Sequence, residues 1–253
     1  MITLDRRRVF GGGGELPYEK QYLTFEALEA GTFTLTIPAT LGVNYLQSVS
    51  YSLDGGLTWT KTDNVASTQV VITTPSVQTG DKVLWKGIGI SYSTGTGLSG
   101  AAKFTSAAKF KVYGNIMSLT HGDNFVNEYQ VPNFFTPHLF RNVASSLFDV
   151  TNLILPATTL GNSCYRYMFY QSNIQTSPIL PASILKNACY FHMFDGCAYL
   201  SSITMLATDT SATDCLSNWV NGVAASGTFT KKQGVTIPSG VNGIPSGWTV
   251  VDA

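Results

Sequence analysis

The sequence predicts a mainly β protein in two units: a β-sandwich over residues 23–113 and a short repeat solenoid over residues 114–253. Residues 1–22 are expected to form a separate N-terminal arm. Three features point this way. Thr32-Phe33-Thr34-Leu35-Thr36-Ile37 alternates polar and apolar residues without a break, the period of a strand with one buried face. Turn-forming clusters punctuate the rest of the first half at short, regular intervals. The second half repeats itself at a fixed spacing, as the stacked units of a solenoid do.

The composition suits that class. Hydrophobic residues make up 44% of the 253, enough for a core, while charged residues are only 12%, against roughly 25% in an average globular chain. Thr, Ser, Asn and Gly carry the remaining polarity, and these fit pleated strands and their turns. The formal net charge is zero, which gives no electrostatic footprint for nucleic acid or an anionic membrane. No run of about 20 apolar residues is present, so no membrane insertion is expected.

The arm opens with Arg6, Arg7 and Arg8, followed by Val9, Phe10 and then Gly11 to Gly14. A secretory signal would continue its basic start with an apolar stretch of about 7–15 residues. Here glycines follow instead, and the chain is expected to fold in a cytoplasm. Glycine loses more backbone entropy on ordering than any other residue, so such an arm should order only against a partner. Arg6, Arg7, Arg8 and Phe10 are the candidate assembly anchor.

Within the first unit, Val49 to Ser52, Val70 to Ile72, Val83 to Ile90 and Phe110 to Tyr113 join the alternating segment as expected strands. Gly42-Val43-Asn44, Asp54-Gly55-Gly56, Thr79-Gly80-Asp81 and Gly95-Thr96-Gly97 separate them. No helix is expected there.

In the second unit, Leu155-Pro156-Ala157 recurs as Leu180-Pro181-Ala182, and Cys164-Tyr165-Arg166-Tyr167-Met168-Phe169 recurs as Cys189-Tyr190-Phe191-His192-Met193-Phe194, an offset of 25 in each case. A decayed copy follows at an offset of 26, with Leu206, Cys215 and Trp219 answering Leu180, Cys189 and Met193. Leu139-Phe140-Arg141-Asn142 and Leu147 look like the remains of an earlier copy. One such unit cannot bury its own apolar face, so stacking makes the core and the terminal copies act as caps. Residues from about 227 to 253, with Pro238, Pro245 and strand-like Trp248-Thr249-Val250-Val251, read as the closing cap. The recurrence of Cys164, Cys189 and Cys215 favours unpaired core thiols over a disulfide framework, and Cys197 is grouped with them.

Motifs that suggest chemistry have simpler structural explanations. Ser52-Leu53-Asp54-Gly55-Gly56-Leu57-Thr58-Trp59 fits the S-x-D-x-G-x-T-W pattern of sialidase and propeller Asp boxes. Glycoside hydrolysis would need paired carboxylates or a tyrosine nucleophile with an arginine cluster. One copy in so small a unit is expected to be a hairpin turn. Gly11 to Gly14 lack the Gly-Lys-Ser/Thr of a phosphate loop. His121, His138 and His192 have no partner at metal-ligand spacing. No catalytic residue, metal or cofactor is expected, and the chain reads as a non-enzyme.

The unit Leu-Pro-Ala-x-x-Leu-x-x-x-Cys-Tyr-x-x-Met-Phe-x-x-Cys, carried by Leu155 to Phe169, Leu180 to Cys197 and more weakly Leu206 to Trp219, resembles the BspA-like leucine-rich repeat of bacterial surface proteins, in the form common in gut bacteria and their phages. Gly114 to Phe125 and the closing Ile244-Pro245-Ser246-Gly247-Trp248 stretch resemble its flanks. Gln171-Ser172 departs from the Gly-Cys pair that Gly196-Cys197 retains. The first half is similar to an immunoglobulin-like module that precedes such repeats in phage-type proteins.

The resemblance implies a phage virion surface protein: a capsid-decoration, head-fibre or tail-fibre subunit. It would dock through its arm on other virion proteins or on copies of itself, and present the repeats to a host-surface glycan or protein. The alternative is a bacterial cell-surface adhesin. Strand alternation would turn some repeat side chains outward, and the candidate exposed ladder is Tyr165, Arg166, Tyr167, Tyr190, His192 and Asp195. Core packing of these aromatics is the competing expectation.

Overall fold

The computed structural model describes residues 16–65, 67–95, 97–143 and 147–253. The anchor residues Arg6, Arg7, Arg8 and Phe10 lie outside them. The first half contributes β1 (Leu23–Ala27), β2 (Phe33–Ile37), β3 (Leu46–Ser52), β4 (Thr60–Asp63), β5 (Val70–Thr73), β6 (Lys82–Gly89), β7 (Lys103–Ser106) and β8 (Phe110–Asn115). One antiparallel sheet runs in the order β8–β1–β6–β3–β4 and a second runs β5–β2–β7. The alternation that announces β2 is realised: Phe33, Leu35 and Ile37 are buried and the intervening threonines are half-buried.

Phe25 of β1 holds the two sheets together. Its ring lies 5.4 Å from Phe33, 5.7 Å from Trp85, 4.8 Å from Phe104 and 5.0 Å from Phe110. These edge-on and tilted contacts suit ring quadrupoles and add to the burial of large apolar surfaces. β1 was not among the expected strands, although Leu23-Thr24-Phe25-Glu26-Ala27 alternates apolar and polar residues and buries Leu23, Phe25 and Ala27.

The sheet does not end where the sequence suggested a domain boundary. After the single turn α1 (Ser118–His121), the short strands β9 (Leu147–Asp149) and β10 (Leu153–Ile154) both pair parallel with β8. Tyr92 N–H donates to Phe135 O (2.7 Å) and Phe104 N–H to Leu139 O (2.9 Å), so the first half also bonds directly to the start of the second. The expected boundary between residues 113 and 114 falls inside β8, and one apolar cluster runs through both halves.

Residues 18–22, grouped with the arm on sequence grounds, are held against the sheet: Tyr18–Lys20 form a 3-10 turn and Tyr22 makes a parallel bridge to Asn115. Asn115 N–H donates to Gln21 O (2.9 Å) and Asn115 Nδ2 to Glu19 O (3.0 Å). Tyr22 packs 5.0 Å from Trp59 and 5.1 Å from Phe125, and its hydroxyl donates to Asp123 (2.7 Å). The arm reading rested on the glycines and their ordering cost, but at residues 19–22 β8 supplies ready hydrogen-bond partners.

The second half is a stack of coils. One side is a parallel sheet in the order β11 (Thr176–Leu180), β12 (Ser202–Met205), β13 (Thr228–Lys231) and β14 (Thr249–Asp252). The other side is built from segments 134–142, 163–171, 188–196 and 214–222. Every second amide in the first three of these segments donates to the next coil, as in Tyr165 N to Cys189 O (3.0 Å), Tyr167 N to Phe191 O (2.9 Å) and Phe169 N to Met193 O (3.0 Å). The amides between close tight turns within the coil, as in Met168 N to Tyr165 O (3.2 Å).

Each coil has a left-handed residue at every fourth position: Phe134, His138 and Asn142, then Ser163, Tyr167 and Gln171, then Ala188, His192 and Gly196, then Asp214, Asn218 and Gly222. Such a φ is uncommon for non-glycine residues, and here the inter-coil hydrogen bonds hold it. The result is a two-in, two-out pattern. Cys164 and Tyr165 point in, Arg166 and Tyr167 lie at the surface, and Met168 and Phe169 point in again. Cys164, Cys189 and Cys215 occupy equivalent inward positions, and all four cysteines are free and buried. Burial pushes the Cys189 thiol up to about 12 and Cys197 up to about 11, which makes them poor nucleophiles.

Candidate functional site

Stacked coils place equivalent side chains one strand spacing apart, about 4.7–4.9 Å. Aromatic rings in one surface column must therefore stack. His138, Tyr167 and His192 do so, with centroids 4.9 and 4.8 Å apart and planes within 16° and 14° of parallel. The neighbouring columns add the cations. Arg141 lies 5.2 Å from the Tyr170 ring centre, and Arg166 lies 4.4 Å from Phe191 and 5.2 Å from Tyr167. Gly97, contributed by the first half, lines a groove of about 300 Å³ together with His138, Arg141, Arg166, Tyr167, Tyr170, His192 and Asp195.

Among the described residues the groove contains one carboxylate, Asp195, and both of its oxygens are engaged. His192 Nδ1 donates to Asp195 Oδ2 (2.5 Å) and Asn221 Nδ2 donates to Asp195 Oδ1 (2.9 Å). Neither Arg141 nor Arg166 forms an ion pair among the described residues. The Nε atoms of both are shielded from solvent and have no hydrogen-bond partner among those residues. A shielded guanidinium nitrogen without an acceptor is costly, because the lost hydration is not replaced. Lys103 of β7 sits under the same influence: its burial and then the Arg141 charge hold its ammonium below the usual lysine range.

Of the six residues expected to form an exposed ladder, Arg166, Tyr167, His192 and Asp195 do meet in this groove. Tyr165 and Tyr190 do not. They are 1% exposed and stack on each other in the core, 6.3 Å apart. The expectation assumed strand alternation, whereas the coil turns two residues in and two out. Burial pushes both phenols well above their ordinary range. Sequence reasoning missed His138, Arg141 and Tyr170. The first two lie in the eroded first coil, which aligns with the second at an offset of 29 rather than 25, as the bonds from His138 N to Arg166 O and Phe140 N to Met168 O demonstrate.

The Asp-box segment is a turn distinct from this groove. Asp54 Oδ1 accepts from Ser52 Oγ (2.7 Å) and Thr58 N (2.9 Å), and Oδ2 accepts from Thr58 Oγ1 (2.6 Å). Trp59 Nε1 closes the loop onto Gly56 O (3.1 Å), and the indole carries Lys86 4.1 Å above its centre. The Thr58 side-chain and backbone bonds, followed by Ser52, hold the Asp54 carboxyl down to about 2 from 3.8. A depressed folded-state value contributes stability that is present above about pH 4 and is lost as the pH falls through about 2. Asp54→Ala should therefore lower the melting temperature by about 2–4 °C near neutrality. The difference from wild type should shrink steadily between pH 4 and pH 2, as followed by circular dichroism melts. A gap that stays constant down to pH 2 would contradict the assignment.

Among the described residues, no cluster of three or more His, Cys, Asp or Glu side chains could hold a metal ion, and no helix is long and apolar enough to cross a membrane. Compared with known proteins, the chain matches no family model, no curated protein and no solved structure.

Proposed function

We propose that the chain is a phage virion surface protein, a capsid-decoration, head-fibre or tail-fibre subunit, that binds rather than catalyses. In this proposal the first half is an immunoglobulin-like sandwich and the second a short BspA-like leucine-rich-repeat solenoid. Arg6, Arg7, Arg8 and Phe10 would dock the arm on other virion proteins or on further copies of the chain. The solenoid's outer face would meet a host-surface glycan or protein.

The observation behind a binding role is the groove over His138, Tyr167 and His192, flanked by two guanidiniums that no carboxylate engages among the described residues. Its only carboxylate among the described residues, Asp195, already accepts from His192 and Asn221, which leaves it badly placed to act as a general base. Four free, buried cysteines fit assembly in a reducing compartment.

The test is location. Particles banded on a density gradient should contain the chain by mass spectrometry, and immunogold labelling should decorate particles. Label confined to the bacterial envelope, with none on banded particles, would replace this proposal with the cell-surface adhesin.

A further inference from the structure

The groove has a chemical preference that a general binding role does not specify. Its volume of about 300 Å³ equals roughly ten water volumes, far more than a bare ion needs, and lies at the small end of ligand sites. Both faces of Tyr167 are already covered by His138 and His192. A nucleobase or another flat ring therefore finds no free face on the central aromatic. Beside its aromatic edges the groove offers polar groups: two guanidiniums, the Tyr167 and Tyr170 phenols, and the imidazole edges.

Among the described residues, neither Arg141 nor Arg166 has a counter-ion. Arg141 and Arg166 each keep a solvent-shielded Nε without an acceptor among the described residues, and Lys103 lies close enough to feel the Arg141 charge. Guanidinium forks match a planar or tetrahedral oxyanion with paired, charge-assisted hydrogen bonds. An anion in the groove would neutralise the two guanidinium charges that no carboxylate engages among the described residues, and would relieve the repulsion between Arg141 and Lys103. Bare anionic charge would leave most of the groove filled with water, while a flexible apolar ligand would offer nothing to the Tyr167 and Tyr170 phenols. A hydroxyl-rich ring bearing one acidic group meets both requirements.

We propose that this groove binds one acidic sugar residue of a surface polysaccharide, its anionic group held between Arg141 and Arg166 and its hydroxyls by Tyr167, Tyr170 and His192. The assignment deepens the surface-binding role and rests on it. It does not depend on whether the chain sits on a virion or on a cell. The shared chemistry is an oxyanion on a pyranose ring, and the source is either a uronate carboxylate or a sulfate ester.

The experiment is isothermal titration calorimetry on the purified full chain at low and high salt. The probes are trigalacturonate, its methyl ester, a sulfated galacto-oligosaccharide and a triglutamate peptide. Binding is expected for trigalacturonate or for the sulfated sugar, whichever carries the matching anion. The methyl ester should not bind, and added salt should weaken the interaction.

Arg141→Gln and Arg166→Gln should each raise Kd at least about tenfold, the usual effect of losing a charge-assisted bond. Their melting temperatures should stay near wild type. Arg166→Lys keeps the charge and loses the fork, so it should fall between wild type and Arg166→Gln. Three results would each overturn the proposal: no acidic sugar bound at millimolar concentration, equal affinity for the ester, or variants that bind like wild type. Tighter binding of triglutamate than of either sugar would reassign the groove to acidic peptides. A chain found on cells instead of particles would leave all of these outcomes unchanged, so the two ideas fail separately.

Discussion

Phe169→Ala should lower the unfolding free energy by about 3–5 kcal/mol, the usual cost of emptying a fully buried phenylalanine site. Phe169 is completely buried and lies between Phe140 and Phe194, each 5.7 Å away and within 10° and 8° of parallel. Phe194 in turn packs 5.9 Å from Trp219, so one aromatic column threads all four coils. Coils contact only their neighbours, and stability in such a stack is a sum of coil and interface terms. Removing the ring from an inner coil weakens two interfaces at once. The inter-coil bonds from Phe169 N to Met193 O and from Phe140 N to Met168 O fix the backbones apart, so the hole cannot readily close. Urea denaturation followed by tryptophan fluorescence reads the change directly. Phe191→Ala, at a half-buried surface position, is the control and should cost far less. If the two variants lose similar stability, the column is not what holds the coils together.

Much of the architecture was written in local patterns. Alternation announced β2 because one of its faces packs on Phe25 while the threonines do not. The 25-residue offset announced the coils because each repeat must bury the same face against its neighbour. What escaped was the geometry within a coil. The Cys-Tyr-x-x-Met-Phe-x-x-Cys spacing has a period of four, not two, and that period follows from a left-handed residue at every fourth position.

Reading that period directly would have turned Tyr165 and Tyr190 inward and kept Arg166 and Tyr167 outward. The departure at Gln171-Ser172 also becomes intelligible. Gln171 takes the same left-handed slot as Gly196, with φ of 52° and 76°, and Ser172 Oγ lies 3.4 Å from Cys197 Sγ in the same inward column. The groove was half legible for a similar reason. Arg166, Tyr167, His192 and Asp195 sit in well-kept repeats, whereas His138 and Arg141 sit in the copy whose offset had drifted to 29. Gly97 comes from the other half of the chain, and no sequence period could link it to the rest.

Gly114→Ala should be at least as damaging as a small core truncation, with a loss of about 3 kcal/mol or more. Gly114 is where three stretches of chain converge: its own strand β8, residues 21–22 on one side and residues 152–153 on the other. Its amide donates to Asn152 O (3.1 Å), and Asn115 beside it donates to Gln21 O (2.9 Å). The residue has a φ of 83°, a conformation that disfavours any side chain, by roughly 1–2 kcal/mol.

Space compounds the strain. A Cβ there would lie 2.9 Å from the Tyr22 carbonyl carbon and 3.1 Å from Gln21 O, with Tyr22 O closer still. These are backbone atoms tied into the sheet and cannot swing aside as a flexible side chain would. Relief requires residues 21–22 to leave β8, which also pulls Tyr22 from Trp59 and Phe125. The Gly114→Ala protein should therefore show a lower urea midpoint, altered Trp59 fluorescence and faster hydrogen exchange at the Asn115 amide. Gly42→Ala is the matched control, because a Cβ at Gly42 meets nothing within 4 Å. A Gly114→Ala protein as stable as Gly42→Ala, with the Asn115 amide still protected, would mean that the close approach of residues 21–22 does not constrain position 114.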